Sequence, residues 1–125
     1  MSYLIVFVGA GLGGAIRHGV NLAFARLTLF PAATLCVNVL GSLLMGIAAG
    51  WFVAKPGYSQ EFRLFFTTGL LGGFTTFSAF SLDSASLLQR GETGLALAYA
   101  AMSVLASIGA LFLGLWLFRS GAQLP

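Results

Sequence analysis

The chain has 125 residues, of which 58% are hydrophobic and only 7% are charged, and its net charge is +3 at pH 7. Soluble domains contain about 25% charged residues, so this composition excludes a water-soluble globular protein and predicts an integral membrane protein. The few positive charges form no basic stripe, which argues against nucleic acid as a partner. No His, Cys or carboxylate residues have the spacing of a protein metal site.

Four apolar segments follow one another, each long enough for the roughly 20 residues that a membrane-spanning helix requires. Polar turns separate them, and the clearest is a loop with a Pro-Gly pair after Lys55. The N-terminus has no positively charged region before its apolar run, so we interpret the run as a retained helix. The predicted fold is one all-α transmembrane domain over residues 1–125. Its predicted spans are about 2–26, 31–54, 61–89 and 94–118.

The first segment contains a glycine motif beginning at Gly9 that fits the G-x-G-x-x-G pattern of dinucleotide-binding loops. Such a site also requires an acidic residue about 20 positions later, and the first acidic residue of this chain is Glu61. Gly9 and Gly13 instead form a G-x-x-x-G pair, which permits close packing of helices in lipid. We therefore predict a packing face and no nucleotide site. Gly46 and Gly50 repeat the spacing in the second segment.

Polar residues are spaced four apart in the second and fourth segments, so each set lies on one helix face. The sets are Thr34, Asn38 and Ser42 in the second segment and Tyr99, Ser103 and Ser107 in the fourth. One interpretation is an ion pathway through the membrane. The other is hydrogen bonding between helices, which contributes about 0.6 kcal/mol per contact on average. The spacing alone leaves both interpretations open.

The third segment is predicted to be interrupted near mid-membrane, between about 72 and 76. Three glycines and the adjacent threonines Thr75 and Thr76 all weaken a helix there, and the first half-helix is expected to end around Gly72 and Gly73. Non-helical backbone at membrane depth survives only where it is buried in protein or lines a polar cavity. The carbonyl end of such a break favours a cation, and the amide end favours an anion.

Two phenylalanines, Phe77 and Phe80, follow the break on one helix face, with Ser81 and Ser84 close to it. The edge of an aromatic ring carries partial positive charge, so an anion that passes a ring edge-on is stabilised without a full charge nearby. The alternative is that both rings pack inside the protein or face lipid, and the residues alone leave the choice open.

Three ionisable side chains lie in or near the predicted spans: Arg17, His18 and Asp83. Ionisable residues within a membrane are functional candidates by default. The alternative is that they lie near an interface, where the side chain extends to water. The sequence leaves open whether any of the three touches a transported ion.

The positive residues are divided almost evenly between the two ends of the predicted bundle. One end has Lys55, Arg63 and Arg119, and the other has Arg26 and Arg90, together with Arg17 if it reaches so far. An excess of Lys and Arg on the cytoplasmic side normally sets the orientation. We therefore predict that the chain inserts in both orientations and pairs head to tail. The alternative is that a small bias still decides the orientation.

Three motifs resemble the Fluc (CrcB) family of fluoride channels: Gly13-Gly-Ala-Ile-Arg17, Val37-Asn-Val-Leu-Gly-Ser42 and Gly72-Gly-Phe-Thr-Thr-Phe-Ser-Ala-Phe80. The third is similar to the family signature Gly-Gly-x-Thr-Thr-Phe-Ser-Thr-Phe. It departs from that signature at Ala79, where a hydroxyl of the expected polar track is missing, and Ser78 and Ser81 are the alternatives. Chain length and the four-helix plan also fit, so the resemblance covers essentially the whole chain.

The resemblance implies an antiparallel, dual-topology homodimer in the lipid bilayer, with two fluoride pores and a central structural sodium ion. By motif position, main-chain oxygens of Gly72 and Thr75 in each chain hold the sodium. Arg17 and Asp83 are the vestibule candidates, and Asp83 stands where relatives often have glutamate. The implied fluoride pathway consists of Asn38, Phe77, Phe80, Ser78, Ser81, Tyr99, Ser103 and Ser107.

The expected function is passive export of fluoride across the bacterial inner membrane, by a multi-pass protein that protects against fluoride toxicity. No nucleophile–base pair or catalytic metal site is evident in the sequence, so an enzyme is not expected. One alternative is a small dual-topology multidrug transporter, which would need an acidic residue in the first segment, where there is none. The other is a non-transporting membrane scaffold, which would explain neither the polar stripes nor the break.

Overall fold

The computed structural model describes residues 1–28 and 30–118, and every regular element in this part is helical. Four spans are long and apolar enough to cross a membrane, and α3 and α4 together form the third of them. The prediction of an all-α protein with four candidate transmembrane helices is therefore confirmed. The predicted tail from Arg119 onward lies outside the described residues. The helices are α1 Ser2–Ala25, α2 Ala32–Ala54, α3 over residues 60–74, α4 Phe77–Gln89 and α5 Thr93–Leu117.

Helix α3 changes its winding before it ends. It begins as the α-helix Gln60–Leu64, continues as the π-helical stretch Phe65–Leu71, and finishes with the α-helical turn Gly72–Phe74. The Oγ of Ser59 caps its start by accepting a hydrogen bond from the Phe62 N–H at 3.2 Å. Such a cap satisfies one of the amides that the first turn leaves without a helical partner.

The break predicted between residues 72 and 76 lies at Thr75 and Thr76, which are both extended. The first half-helix ends at Phe74, one residue beyond the expected Gly72 and Gly73, and both glycines are helical. A Cβ on Gly73 would collide with the Ala10 carbonyl oxygen of α1. The glycine at this position therefore serves the close approach of two helices, and it does not end the helix.

The helices pack mainly as two pairs, α1 with α3 and α2 with α5. In the first pair, a Cβ on Gly13 would collide with the carbonyl oxygen of Leu70. In the second, a Cβ on Gly46 would collide with the carbonyl oxygen of Leu111. Because these glycines lack side chains, the paired backbones touch. The predicted packing role of Gly13 and Gly46 is therefore confirmed.

Helix α2 also passes the break in the third span. Gly41 of α2 packs against the methyl group of Thr75 and the ring of Phe74. The absence of a side chain at Gly41 brings the α2 backbone close to the break. Asn38 lies three residues earlier, on the same face of α2, and its side chain reaches the break.

Large apolar side chains cover the outside of the helix bundle. Phe7 is 75% exposed and Leu105 is 73% exposed, whereas Val37, Leu87 and Tyr99 are almost fully buried. A soluble protein rarely shows such continuous apolar surface. The distribution is the one expected of a protein whose outer surface contacts lipid or another chain in the membrane.

An aromatic cluster lies where α2 ends and α3 begins. The rings of Tyr58 and Phe62 stack with their centroids 4.9 Å apart, and Phe52 contacts both rings edge-on. The Lys55 Nζ lies 5.0 Å from the centroid of the Trp51 ring. Trp, Tyr and Lys together are typical of the membrane–water boundary, so this end of the bundle lies at that boundary.

Candidate functional site

The break between α3 and α4 is held by a side chain from another helix. Asn38 of α2 donates a hydrogen bond from Nδ2 to the Thr76 carbonyl oxygen at 2.9 Å. Its Oδ1 accepts a hydrogen bond from the Thr76 N–H at 2.8 Å. Asn38 therefore satisfies both backbone polar groups of an extended residue, which is the requirement for unwound backbone at membrane depth.

Thr76 also caps the start of α4. Thr76 Oγ1 accepts a hydrogen bond from the Ala79 N–H at 3.1 Å. The Thr75 hydroxyl instead donates to the Leu71 carbonyl oxygen at 3.1 Å and so closes the end of α3. The two adjacent threonines thus finish one helix and begin the next, which explains why the interruption takes only two residues.

The carbonyl groups around the break differ in their partners. The Gly73 carbonyl oxygen accepts a hydrogen bond from Arg17 Nε at 3.3 Å, and that of Thr76 is bound by Asn38. Within residues 1–28 and 30–118, the carbonyl oxygens of Gly72 and Thr75 accept no hydrogen bond. At the carbonyl end of the break, the Gly73 carbonyl is therefore occupied by Arg17.

Arg17 reaches farther into the protein than the sequence suggested. It is half-buried, and its guanidinium binds the end of α3 rather than extending only toward an interface. The adjacent residue, His18, is exposed. A signal for the position of Arg17 was available, because it follows Gly13 by four residues on one helix face, and Gly13 packs against Leu70 of α3.

A cavity of about 370 Å³ lies beside the break, between α2, α4 and α5. Five of the residues assigned to the fluoride pathway from the sequence line it: Asn38, Phe77, Phe80, Ser103 and Ser107. Ser42, Thr75 and Thr76 also line it. The structure therefore brings the polar stripes of the second and fourth segments together with the phenylalanines that follow the break.

The rest of the cavity wall is apolar, and no residue pattern indicated it. This part is made by Met45 of α2 and by Val104, Ile108 and Leu111 of α5. Each of these residues looks like an ordinary lipid-facing or core position in an apolar segment. Only the crossing of α2 and α5 turns them toward the same space.

Ser103 is the most unusual polar group of this cavity. Its Oγ is buried and has no hydrogen-bond partner among the described residues. Buried hydroxyls normally have a partner, and leaving one without a partner costs about 1–3 kcal/mol. Because Ser103 also lines the cavity, this hydroxyl is a donor beside it that no other described residue occupies.

The two phenylalanines after the break have different surroundings. Phe77 is 77% exposed, whereas Phe80 is half-buried, and their ring centroids are 5.4 Å apart. The Phe80 ring also lies 5.2 Å from the ring of Tyr99. Phe80 is therefore fixed by neighbours in the same chain, while Phe77 extends from the surface.

Tyr99 and Asp83 form a second polar contact behind the phenylalanines. Tyr99 is fully buried, and its hydroxyl donates a hydrogen bond to Asp83 Oδ2 at 3.2 Å. Asp83 is half-buried. Neither residue lines the cavity, so the fourth-segment stripe divides into Tyr99 behind the cavity and the two serines along it.

Ser78 and Ser81 lie outside the cavity lining, and both are exposed. The Ser81 Oγ donates to the Phe77 carbonyl oxygen at 3.1 Å, as membrane-helix serines often do. The Ser78 Oγ lies 3.3 Å from the Thr76 Oγ1. Neither side chain replaces inside the cavity the hydroxyl that Ala79 lacks.

Residues 4–115 match the family described as "CrcB-like protein, Camphor Resistance (CrcB)". A protein of Granulibacter bethesdensis named "Fluoride-specific ion channel FluC" is 57% identical over 122 residues, which cover 96% of each chain. A protein of Methylobacterium sp. with the same name is 58% identical over 109 residues, or 86% of this chain and 88% of the relative. One of Rhodopseudomonas palustris, also of that name, is 53% identical over 96% of this chain and 98% of its own.

Proposed function

The chain belongs to the CrcB family, and from this membership we infer that it is a fluoride-specific ion channel. It is a bacterial multi-pass membrane protein with four spans, and it is a transporter rather than an enzyme. The observation that carries this conclusion is that the similarity extends over nearly the whole chain. The break and every candidate pathway residue therefore lie inside the matched range 4–115.

We propose that fluoride crosses the protein along the cavity beside the break. The unpartnered hydroxyl of Ser103, the hydroxyl of Ser107 and the side chain of Asn38 line this space and offer hydrogen-bond donors. Fluoride binds its hydration water strongly, so a pathway needs donors that replace that water. Neutral donors in an otherwise apolar wall allow the ion to enter without trapping it, which conduction requires.

Phe77 and Phe80 contribute ring edges to this proposed pathway. Both line the cavity, and Phe80 is fixed by its contact with Tyr99. The positive edge of a ring attracts an anion weakly, which adds stabilisation where no charged side chain is present. The proposed pathway also keeps Ser78 and Ser81, whose exposed hydroxyls lie beside the break.

We propose that Arg17 and Asp83 are vestibule residues whose side chains are held in place by hydrogen bonds within the protein. Arg17 is bonded to Gly73, and Asp83 is bonded to Tyr99. An ionisable group that already has a partner within the protein adds electrostatic potential without binding the passing ion tightly. The proposal therefore gives neither residue a direct contact with fluoride inside the cavity.

The working unit that we propose is an antiparallel homodimer with two pores. The near balance of positive residues between the two ends of the chain supports insertion in both orientations. Phe77 is a cavity residue, yet 77% of it is exposed on the protomer. A second copy packed there would cover this ring and close the open side of each cavity.

Gly72 and Thr75 are the proposed ligands of a structural sodium ion. Their carbonyl oxygens accept no hydrogen bond among the described residues, and neither does that of Phe74 between them. Carbonyls of unwound membrane helices are suitable ligands for sodium, so the residues fit the ion. When bound, the ion would supply positive charge that offsets the converging carbonyl dipoles. Gly72 is exposed and Thr75 half-exposed, so a partner chain has access to both.

Liposomes that contain the purified protein test the function directly. We expect an electrode to record rapid loss of fluoride from the vesicles and no comparable loss of chloride, with protein-free vesicles as the control. Equal loss of the two anions would contradict the assignment of fluoride specificity. In cells, deletion of the gene is expected to make bacteria more sensitive to fluoride, because we propose that the channel exports it across the inner membrane.

The dimer proposal has a separate test. A cysteine-free chain with a single reactive tag at either terminus is treated from outside the cell with an impermeant reagent. Insertion in both orientations predicts that about half of each tag population is labelled, because two equal orientations place half of each terminus outside. Complete labelling of both tags, or of neither, would contradict dual topology, because four spans place both termini on the same side of the membrane.

A further inference from the structure

The two hydrogen bonds between Asn38 and Thr76 have a consequence for a third residue, Gly72. In a continuous α-helix, the Thr76 N–H would donate to the carbonyl oxygen four residues earlier, which belongs to Gly72. Here that N–H donates to Asn38 Oδ1 at 2.8 Å instead. With Thr75 extended, Asn38 therefore holds the amide that a continuous helix would direct to the Gly72 carbonyl.

The other polar groups near the break have partners that do not compete for Gly72. Arg17 binds the Gly73 carbonyl oxygen, and the Nδ2 of Asn38 binds that of Thr76. The Ala79 N–H, four residues beyond Thr75, donates to Thr76 Oγ1 and so leaves the Thr75 carbonyl free as well. Around the break, side chains therefore bind the carbonyls of Gly73 and Thr76, whereas those of Gly72, Phe74 and Thr75 have no donor among the described residues.

We propose that Asn38 is a positioning residue for a cation site, because it captures the Thr76 amide and thereby keeps the Gly72 carbonyl available as a ligand. This inference rests on the proposed sodium site and adds the residue that creates it. Asn38 uses one of its two Nδ2 protons and its Oδ1 on Thr76. One N–H remains for the cavity, so the same side chain lies between the cation site and the fluoride pathway.

Removal of Asn38 would let the Thr76 amide return to Gly72. The Gly72 carbonyl would then have to give up a hydrogen bond before it bound a cation. Loss of a side chain that orients a metal ligand typically lowers metal affinity about 10–100-fold. We therefore expect Asn38→Leu to raise the sodium concentration at half-saturation at least about tenfold.

The chain offers a selective spectroscopic probe of this site. Threonine labelled with ¹³C at the carbonyl and with ¹⁵N gives a carbonyl–amide correlation only where two threonines are adjacent. The sequence has two such pairs, Thr67–Thr68 and Thr75–Thr76. The second signal reports the carbonyl of Thr75 and the amide of Thr76 together. The first lies in the π-helical stretch of α3 and serves as an internal control.

In the wild-type protein, sodium is expected to move the Thr75–Thr76 signal and to leave the Thr67–Thr68 signal unchanged. Potassium is expected to move neither signal. In Asn38→Leu, the Thr76 amide shifts before sodium is added, and the response to sodium requires at least about tenfold more sodium. Asn38→Asp keeps an oxygen that accepts from the Thr76 N–H, so it retains the sodium response. Ser84→Ala is the control, because its hydroxyl bonds to Phe80 within α4.

An unchanged sodium response in Asn38→Leu overturns the inference, and so does an equal loss of response in Asn38→Leu and Asn38→Asp. If Asn38→Leu does not form a folded protein, Asn38→Ser replaces it, because its hydroxyl is too short to reach Thr76. A wild-type protein without any sodium response overturns the cation site as well, whereas fluoride efflux from the same preparation tests the channel separately.

Discussion

The Tyr99 hydroxyl donates a hydrogen bond to Asp83 Oδ2 at 3.2 Å and so joins α5 to α4 behind the cavity. The Tyr99 ring is fully buried and contacts the rings of Phe30 and Phe80. The contact thus connects Asp83 of the third span to the aromatic pair that follows the break. It fixes α4 relative to α5, and with it the position of Phe80.

Tyr99→Phe is expected to lower the free energy of unfolding by about 1–3 kcal/mol, because it leaves the half-buried carboxylate of Asp83 without this donor. The ring contacts with Phe80 are kept. Thermal unfolding of the purified protein in detergent measures the loss. Tyr3→Phe is the control, because Tyr3 is 92% exposed. Equal stability of Tyr99→Phe and the wild type would show that the hydrogen bond contributes nothing.

Phe77→Ile is expected to reduce fluoride efflux from liposomes at least tenfold, which corresponds to about 1.4 kcal/mol. The substitution removes the positive ring edge and keeps an apolar side chain. The matched control is Phe112→Ile on the outside of α5, where the ring is 60% exposed and does not line the cavity. Chemical crosslinking shows whether the dimer persists. Wild-type efflux from Phe77→Ile would remove this ring from the pathway.

Ser103→Ala is expected to reduce fluoride transport without reducing the stability of the protein. Its Oγ has no partner in the described structure, so its removal leaves the free energy of unfolding unchanged or raises it by about 1 kcal/mol. Fluoride efflux falls, because the cavity loses a donor. Ser86→Ala, on the exposed surface of α4, is expected to change neither quantity. A destabilised Ser103→Ala protein would indicate that the hydroxyl has a structural partner.

Gly13→Ala is expected to destabilise the protein by about 1–3 kcal/mol, as overpacking of a close contact does. The added methyl group would meet the backbone of Leu70 and of Phe74, which cannot move independently of α3. Gly11→Ala in the same helix is the matched control, because a Cβ there meets no atom within 4 Å. Similar unfolding temperatures for the two variants would contradict the packing role of Gly13.

The sequence predicted the spans well because apolar length is a local property. It predicted the break only approximately, because glycine weakens a helix in isolation and also permits close packing. At Gly73 the close packing is what matters, because α1 lies against this glycine and the helix continues through it. The two threonines, whose side chains bond to the backbone on either side, are the residues that end it.

The contacts of the site depend on tertiary structure, so residue patterns predicted which helix faces are polar but not which atoms form hydrogen bonds. The i, i+4 spacing placed Asn38 on a polar face, but the spacing could not show that both of its polar atoms bind Thr76. Tyr99 belongs to the same stripe as Ser103, yet one is bonded to Asp83 and the other faces the cavity. Which member of a stripe is bonded depends on the crossing of helices, and a single sequence does not encode that crossing locally.

The π-helical stretch Phe65–Leu71 sets the rotational phase of everything that follows it. A π-helix closes its hydrogen bonds over five residues rather than four, so it takes up about one more residue per turn than an α-helix. Without that extra residue, the end of α3 would turn by about 100°, and the Thr76 amide would face away from α2. A one-residue deletion within 65–71 would therefore separate Thr76 from Asn38 without changing the identity of any residue of the site.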